Sequence, residues 1–361
     1  MLLENKYNLG NLNLPSRVLM APMTRSRTTQ PGNIPNELMA EYYTQRASAA
    51  LIISEATQVS QQGQGYSFTP GIHSAEQIEG WKLVTKAVHD AGGRIFLQLW
   101  HVGRLSHEMF HNGKKPVAPS AISPNARIWA VNDEHPNGGM IDCPEPRALT
   151  KDEITSIVED FRQGAGNAIK AGFDGVEIHG ANGYLIDQFM RRTSNKRDDE
   201  YGGGIANRVR FMLEVAKAVA DEVGVKKTGI RLAPFIKQRG MDDDEAIDAV
   251  LYAAKELDKI GLVYIHLAEA DWDDAPKIPE AFRHELRKVY NGSIIVAGNY
   301  TKEKAEILLK KDLVDMVAFG RPFISNPDYP HKLFGNIDLV GFDTDKLFGG
   351  NAEGYTDYIT K

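Results

Sequence analysis

His179, Asn182 and Tyr184 stand close together in the stretch Gly175-Val176-Glu177-Ile178-His179-Gly180-Ala181-Asn182-Gly183-Tyr184. All three side chains can hydrogen-bond. Val176 and Ile178 alternate as a buried strand does, and the glycines end that strand in a turn. Polar residues at the point where a strand of a parallel α/β barrel meets its loop lie on the catalytic face. The three-residue spacing of His179 and Asn182 suits a helical turn on which both point the same way and grip one ligand atom. Tyr184 offers an O–H from another angle. The competing reading is a histidine buried against its own loop and a tyrosine used for packing. The remaining strands weigh against it.

Those strands recur along the chain with helices between them. Apolar runs at Val18–Ala21, Leu51–Ala56, Arg94–Trp100, 175–179, Gly229–Leu232, Leu262–Leu267, Ile294–Ala297 and Met316–Phe319 read as core strands. Helical spacing fills 36–50, 75–91, 150–171, 206–223, 244–260, 279–290 and 301–310. Gly92-Gly93 ends the second of these helices. Residues 1–15 suit a small hairpin turning at Leu9-Gly10-Asn11-Leu12, a lid on the barrel floor. Residues 101–149 break the rhythm with prolines and little periodicity, which marks a long insertion after strand three, on the side where a substrate lid would sit. The expected fold class is α/β, a single (β/α)8 TIM barrel over residues 1–361. No Gly-x-Gly-x-x-Gly follows a strand, so a doubly wound dinucleotide fold is disfavoured.

Composition bounds the function. A formal charge of −6 leaves no basic field for nucleic acid. The single cysteine, Cys143, excludes an internal disulfide and a cysteine-ligated iron–sulfur cluster. There is no signal pattern and no apolar run that would span a bilayer, so a cytoplasmic enzyme without a membrane partner is expected.

The C-terminal strand ends collect Thr24, Ala56, Gln98, Trp100, His101, His179, Arg231, His266, Ala297-Gly298 and Gly320-Arg321. Carboxylates are nearly absent from that set, which weakens a two-carboxylate glycosidase with Glu55 and Glu177. His101, His179 and His266 could meet as zinc ligands, and a metal-dependent TIM-barrel hydrolase is the alternative function. The small-residue turns after strands seven and eight fit a phosphate site, and Arg321 adds a permanent charge there. With Thr24, Gln98 and Arg231 as donors toward a carbonyl-rich heterocycle, the set suits flavin mononucleotide.

The chain resembles the Old Yellow Enzyme flavoproteins, or ene-reductases, nearly end to end. The resemblance rests on Ala21-Pro22-Met23-Thr24-Arg25-Ser26-Arg27, Ser54-Glu55-Ala56-Thr57, Gln98-Leu99-Trp100-His101 and His179-Gly180-Ala181-Asn182-Gly183-Tyr184-Leu185, continuing to Phe319-Gly320-Arg321-Pro322 and Ala352-Glu353-Gly354-Tyr355. It is similar to the branch containing N-ethylmaleimide and nitrate-ester reductases, which Thr24 supports. The resemblance implies non-covalent FMN, with Pro22, Met23, Ala56 and Gln98 lining the isoalloxazine. Thr24 would donate to O4, and Arg231 would lie near N1. Ala297, Gly298, Gly320 and Arg321 would hold the phosphate. It implies that His179 and Asn182 clamp the substrate oxygen, that Tyr184 donates a proton, and that Tyr66, Trp100 and Phe348 shape the substrate pocket. Relatives often carry Tyr where this chain has Phe348. The implied reaction is NADPH- or NADH-dependent reduction of activated C=C bonds in α,β-unsaturated carbonyl compounds, maleimides and nitroalkenes. Nitro compounds or nitrate esters would be further acceptors, and the enzyme would be a monomer or homodimer.

Overall fold

Strands that are covered by helices outside and by one another inside have no face for water, and read as continuous apolar runs. A computed structural model describes residues 1–270 and 275–358, and those runs are its barrel staves. The strands are Val18–Met20, Ile52–Gln58, Ile95–Trp100, Gly175–Gly180, Thr228–Leu232, Tyr264–Ala268, Ser293–Ala297 and Met316–Phe319, numbered one to eight below. They pair in parallel, and strand one bonds to both strand eight and strand two, which closes the ring. The expected (β/α)8 barrel is the fold.

Two apolar layers hold it. Outside the ring, Leu97, Val176, Ile178, Ile230 and Ile265 pack against helix residues such as Val84, Phe161, Val209 and Val215. Inside and below, Leu19, Phe96, Tyr264 and Ile295 fill the floor together with Leu9 and Leu14. Leu9 and Leu14 belong to the antiparallel hairpin Tyr7–Leu9/Leu12–Leu14, and the Tyr7 hydroxyl lies 2.8 Å from Ser293 Oγ at the start of strand seven. The hairpin therefore plugs the end of the barrel opposite the strand C-termini.

Helices Ala75–Asp90 and Lys151–Lys170 begin with reciprocal capping boxes, Ser74 with Gln77 and Thr150 with Glu153. The helix expected over 36–50 stops at Gln45. Arg46, fully buried, donates instead to the Tyr42, Phe323 and Ile324 carbonyls at 2.8, 2.9 and 2.8 Å, and this ties the chain to the segment after strand eight. The helix expected from Asp244 starts at Ala246, because the Asp243 carboxylate accepts from the Glu245 and Arg192 amides first. The insertion is more ordered than its composition suggests. It pairs Val117–Ala118 with Arg147–Ala148, and it forms an antiparallel hairpin of Arg127–Ala130 with Gly139–Asp142. Three short helices, Leu185–Met190, Arg321–Ser325 and Tyr329–Gly335, had no sequence expectation.

Gly175 opens strand four where no side chain fits. A Cβ there would lie 2.5 Å from Phe96 Cζ and 2.6 Å from the Lys227 carbonyl oxygen, and a backbone atom cannot swing aside. Gly175→Ala should lower stability by about 1–3 kcal/mol, the usual cost of overpacking. Chemical denaturation showing an unchanged midpoint would mean that the strand shifts freely.

Candidate active site

At the C-terminal ends of the strands lies a cavity of about 560 Å³, within the range of small-molecule and cofactor sites. Its walls include Pro22, Met23, Thr24, Ala56, Tyr66, Gln98, Trp100, His179, Asn182, Tyr184, Arg231, Ala297, Gly298, Gly320, Arg321 and Phe348. Every candidate flavin or substrate residue of the sequence thus meets in one space. Four segments give the cavity a floor, a side, a far end and a roof.

The floor is set by a buried carboxylate. Gln98 Nε2 donates to Glu177 Oε1 at 2.7 Å, and His266 Nδ1 donates to Glu177 Oε2 at 2.8 Å. One N–H of the Gln98 amide is thereby committed, leaving its carbonyl oxygen and second N–H for a ligand.

The side carries the donor set. His179 is the penultimate residue of strand four, while Asn182 lies in a left-handed turn with φ 58° ahead of Gly183 at φ 77°. The two therefore do not share a helical turn as their spacing suggested, although both face the cavity. The Ala181 amide lies 3.4 Å from His179 Nδ1 and donates to it, so the imidazole proton sits on Nε2. Burial first, then the charges of Arg231 and Arg239, holds the His179 pKa well below its ordinary value. His179 is a neutral N–H donor. Asn182 Oδ1 is buried with no hydrogen-bond partner in the protein, and the Asn182 carbonyl accepts from Arg239 Nη1 at 2.8 Å. The Tyr184 and Tyr66 hydroxyls are 3.1 Å apart, and burial holds Tyr66 well above the usual phenol range. Trp100 stacks on Tyr66 at 5.5 Å and meets Tyr184 edge-on at 4.9 Å.

The far end is built from the turns after strands seven and eight. A Cβ on Gly298 would stand 3.3 Å from Glu269 Cβ, and one on Gly320 would stand 3.4 Å from Met23 Sδ. Neither glycine has a positive φ, so what glycine provides here is close approach to the backbone rather than an unusual conformation. Arg321 Nη2 donates to Asn299 Oδ1 beside them.

The roof comes from the insertion hairpin and the C-terminal segment. Trp129 lies 5.8 Å from Phe348 and 6.3 Å from Phe68. Arg127, Trp129 and Met140 of the hairpin reach the cavity, as do Arg239 and Tyr300, and sequence reasoning assigned none of them. The alternation in Arg127-Ile128-Trp129-Ala130 was the available signal for the hairpin.

The three histidines of the metal alternative do not converge. His266 is engaged with Glu177, the Gly103 amide donates to His101 Nδ1 at 3.1 Å, and only His179 lines the cavity. Among the described residues no group of three His, Cys, Asp or Glu side chains could hold a metal ion. Cys143 is buried in the insertion, in one cluster with Trp100 and Tyr184, and burial pushes its thiol up to about 12.

Comparison with known proteins gives a consistent picture. Residues 6–339 match the NADH:flavin oxidoreductase / NADH oxidase family. The chain is 42% identical to 12-oxophytodienoate reductase 1 of Oryza sativa subsp. japonica over 361 residues, covering 98% of this chain and 91% of that protein. Morphinone reductase superposes with a TM-score of 0.96 at 48% identity, covering 99% of this chain and 96% of the other. It has also been solved in complex with tetrahydroNAD, at 47% identity and a TM-score of 0.95, covering 99% and 97%. The Old Yellow Enzyme homologue of Zymomonas mobilis superposes with a TM-score of 0.92 at 40% identity, covering 99% of both chains.

The neutral His179 has a consequence for acid stability. In the unfolded chain its pKa returns to about 6.5, whereas the folded chain keeps it deprotonated well below that value. The unfolded state therefore binds more protons, and stability falls as pH drops below about 6.5. His101, which burial holds down to about 3, acts in the same direction. Denaturation at pH 7, 6 and 5 should show this loss, and His179→Gln should reduce the slope by about 1.4 kcal/mol per pH unit. An unchanged slope would mean that the folded protein carries imidazolium at this site.

Proposed function

The chain belongs to the Old Yellow Enzyme family of FMN-dependent NADH:flavin oxidoreductases, and from that premise we propose that it reduces activated C=C bonds in α,β-unsaturated carbonyl compounds, maleimides and nitroalkenes. One observation carries this reading. A pair of neutral donors, His179 and Asn182, and a phenol, Tyr184, share a cavity with the Gln98 amide on its floor and two glycine turns at its far end. The oxo group and the morphinone in the relatives' names fit acceptors of this class. NADH and NADPH are both candidate donors, and nitro compounds or nitrate esters are further acceptors, as in the N-ethylmaleimide reductase branch.

The residues present fit FMN. The Gln98 amide complements an imide edge, Thr24 adds a donor, and Arg231 supplies positive charge to the same end. Pro22, Met23 and Ala56 are small or apolar surfaces for a flat ring. Ala297, Gly298, Gly320 and Arg321 give close backbone approach and a cation for the phosphate. FMN held there would supply hydride chemistry between reduced nicotinamide and the β-carbon of the acceptor. His179 Nε2–H and the Asn182 amide then donate to the acceptor's oxygen, where negative charge develops, and no proton needs to move to form those bonds. Tyr184 gives its phenolic proton to the α-carbon. Tyr66, neutral and 3.1 Å away, can donate to the phenolate left behind. Trp100 and Phe348 wall the substrate space. In this reading residues 1–361 act as one unit, in the cytoplasm. No helix among the described residues is long and apolar enough to cross a membrane.

Anaerobic addition of NADH or NADPH to the yellow protein should bleach it, and an enone should restore the colour with formation of the saturated ketone. Acid precipitation should release FMN. A colourless protein, or one that reduces with nicotinamide yet never reoxidises with enones, maleimides or nitroalkenes, would sink the proposal. Tyr184→Phe should separate the two halves. Bleaching by nicotinamide needs no proton from the protein and should change little. The enone step should slow by about 10²–10⁴-fold, the usual loss of a positioned general acid. Nitroalkenes, whose nitronate can leave and be protonated by water, should suffer less. Stopped-flow traces of an unimpaired enone step would remove Tyr184 from the donor role.

A further inference from the structure

A second buried ionic cluster adjoins the far end of the cavity, and the proposed chemistry does not use it. Glu269, directly after strand six, is nearly fully buried, as is Arg283 on helix Glu280–Val289. Arg283 Nη1 and Nη2 donate to Glu269 Oε1 and Oε2 at 2.6 and 2.9 Å, a bidentate pair. The Tyr300 hydroxyl donates to Glu269 Oε2 and accepts from Arg283 Nη2 at 3.0 Å. The Glu269 amide donates to the Ala297 carbonyl at 2.8 Å. The cluster thus joins the end of strand six, the following helix and the turn after strand seven. Its members press against that turn. A Cβ on Gly298 would lie 3.3 Å from Glu269 Cβ and 3.5 Å from Tyr300 Cε2.

A carboxylate this close to an anion-binding turn would repel a phosphate unless it is compensated. Burial raises the stakes, since an unpaired buried charge is costly and is screened little by salt. We propose that Arg283 is a positioning residue for the cofactor phosphate: it neutralises Glu269 and, through Glu269 and Tyr300, holds the Gly298 turn open for the phosphate. Arg283 does not line the cavity, so its effect passes through the carboxylate and the tyrosine. The proposal rests on the FMN reading of the cavity.

The pair makes opposite predictions for its two members. Arg283→Gln leaves a carboxylate beside the phosphate, whereas Glu269→Gln leaves a cation. Purified holoenzyme is incubated with a fixed excess of FMN and riboflavin, desalted, and acid-treated to read the FMN-to-riboflavin ratio of the bound flavin. In Arg283→Gln the ratio should fall about ten-fold, from charge repulsion over a few ångströms in a partly screened medium. In Glu269→Gln it should rise, and in Arg283→Lys, which keeps the charge, it should stay near the parental value. A purely structural role would instead loosen both flavins alike in every variant and leave the ratio unmoved. An unmoved ratio, or a fall in Glu269→Gln, overturns the proposal. If Arg283→Gln does not accumulate as folded protein, Glu269→Gln alone decides by the sign of its shift. A parental enzyme that fails to prefer FMN over riboflavin would instead refute the phosphate site itself.

Discussion

Inside the barrel, one carboxylate has no water around it. Glu177 on strand four is fully buried, and burial alone would drive its pKa up, yet the partly positive environment of His266 and Arg231 together with the Gln98 amide holds it below the ordinary carboxylate value. Burial pushes the His266 pKa down and the Glu177 carboxylate lifts it in part, while the hydrogen bond between them fixes both side chains. Removing any one partner would strand a buried charge, which costs several kcal/mol. The polar residues of strands three, four and six therefore come as a set. Their arrangement decides how Gln98 presents its amide to the cavity, and so how the floor can recognise a polar ring edge.

A second buried carboxylate does a different job. Glu55 on strand two accepts the Arg25 and Ser26 amides, both at 3.1 Å, and burial raises its pKa despite those bonds. It thereby pins the loop after strand one, the segment that carries Pro22, Met23 and Thr24. The side chains of Arg25 and Arg27 then turn outward to the C-terminal segment. Arg25 donates to the Leu347 and Gly354 carbonyls at 3.0 and 2.8 Å, and Arg27 to those of Asn351 and Lys346 at 3.0 and 2.9 Å. The Gly349 amide returns a bond to the Arg25 carbonyl at 3.0 Å, and Tyr355 stacks on Tyr42 at 4.0 Å. The cavity-lining loop after strand one and the segment bearing Phe348 are consequently one hydrogen-bonded body, although more than 300 residues separate them.

The barrel was legible because its signals are local. Apolar runs of strand length, alternating with amphipathic helices opened by capping boxes such as Thr150 to Glu153, depend only on neighbours in sequence. The site followed from one rule, that chemistry gathers where barrel strands end. Residue types sufficed to find His179 and Asn182 but not to describe them. The spacing suggested a helical turn, while the chain puts one on the strand and the other at φ 58°. What stayed hidden was set by distant partners. Arg239 enters the cavity from a loop whose path is fixed by Arg104 Nη2 donating to its carbonyl at 3.0 Å, and Arg239 itself adopts φ 62°. Trp129 and Met140 sit on strands of four residues each, where the alternation of Arg127–Ala130 is a short signal inside a proline-rich stretch. Arg46 ended a helix that its own sequence would have extended, because its donors are drawn to carbonyls near residue 323.

The cavity's two halves are held in physically different ways, and this bears on what each can recognise. The floor and far end are ionic and backbone-lined: Gln98 on Glu177, the Gly298 and Gly320 turns, Arg321 on Asn299. Such groups have fixed positions and fixed hydrogen-bonding sense, so they discriminate by donor and acceptor pattern. The roof is aromatic, with Phe348 against Trp129, and the side adds Tyr66 against Trp100. Aromatic faces reward area and flatness and are nearly indifferent to the identity of what lies on them. In the proposed function, a ligand above the floor is therefore selected mainly at one point, where neutral His179 and Asn182 would meet an acceptor oxygen. On that reading, an unsaturated compound with a carbonyl or nitro oxygen three bonds from the carbon that takes the hydride meets that demand whatever its remaining shape. In the same proposed function, selectivity among such compounds falls to the volume left beneath Phe348, Trp129 and Met140, contributed by two segments outside the barrel staves.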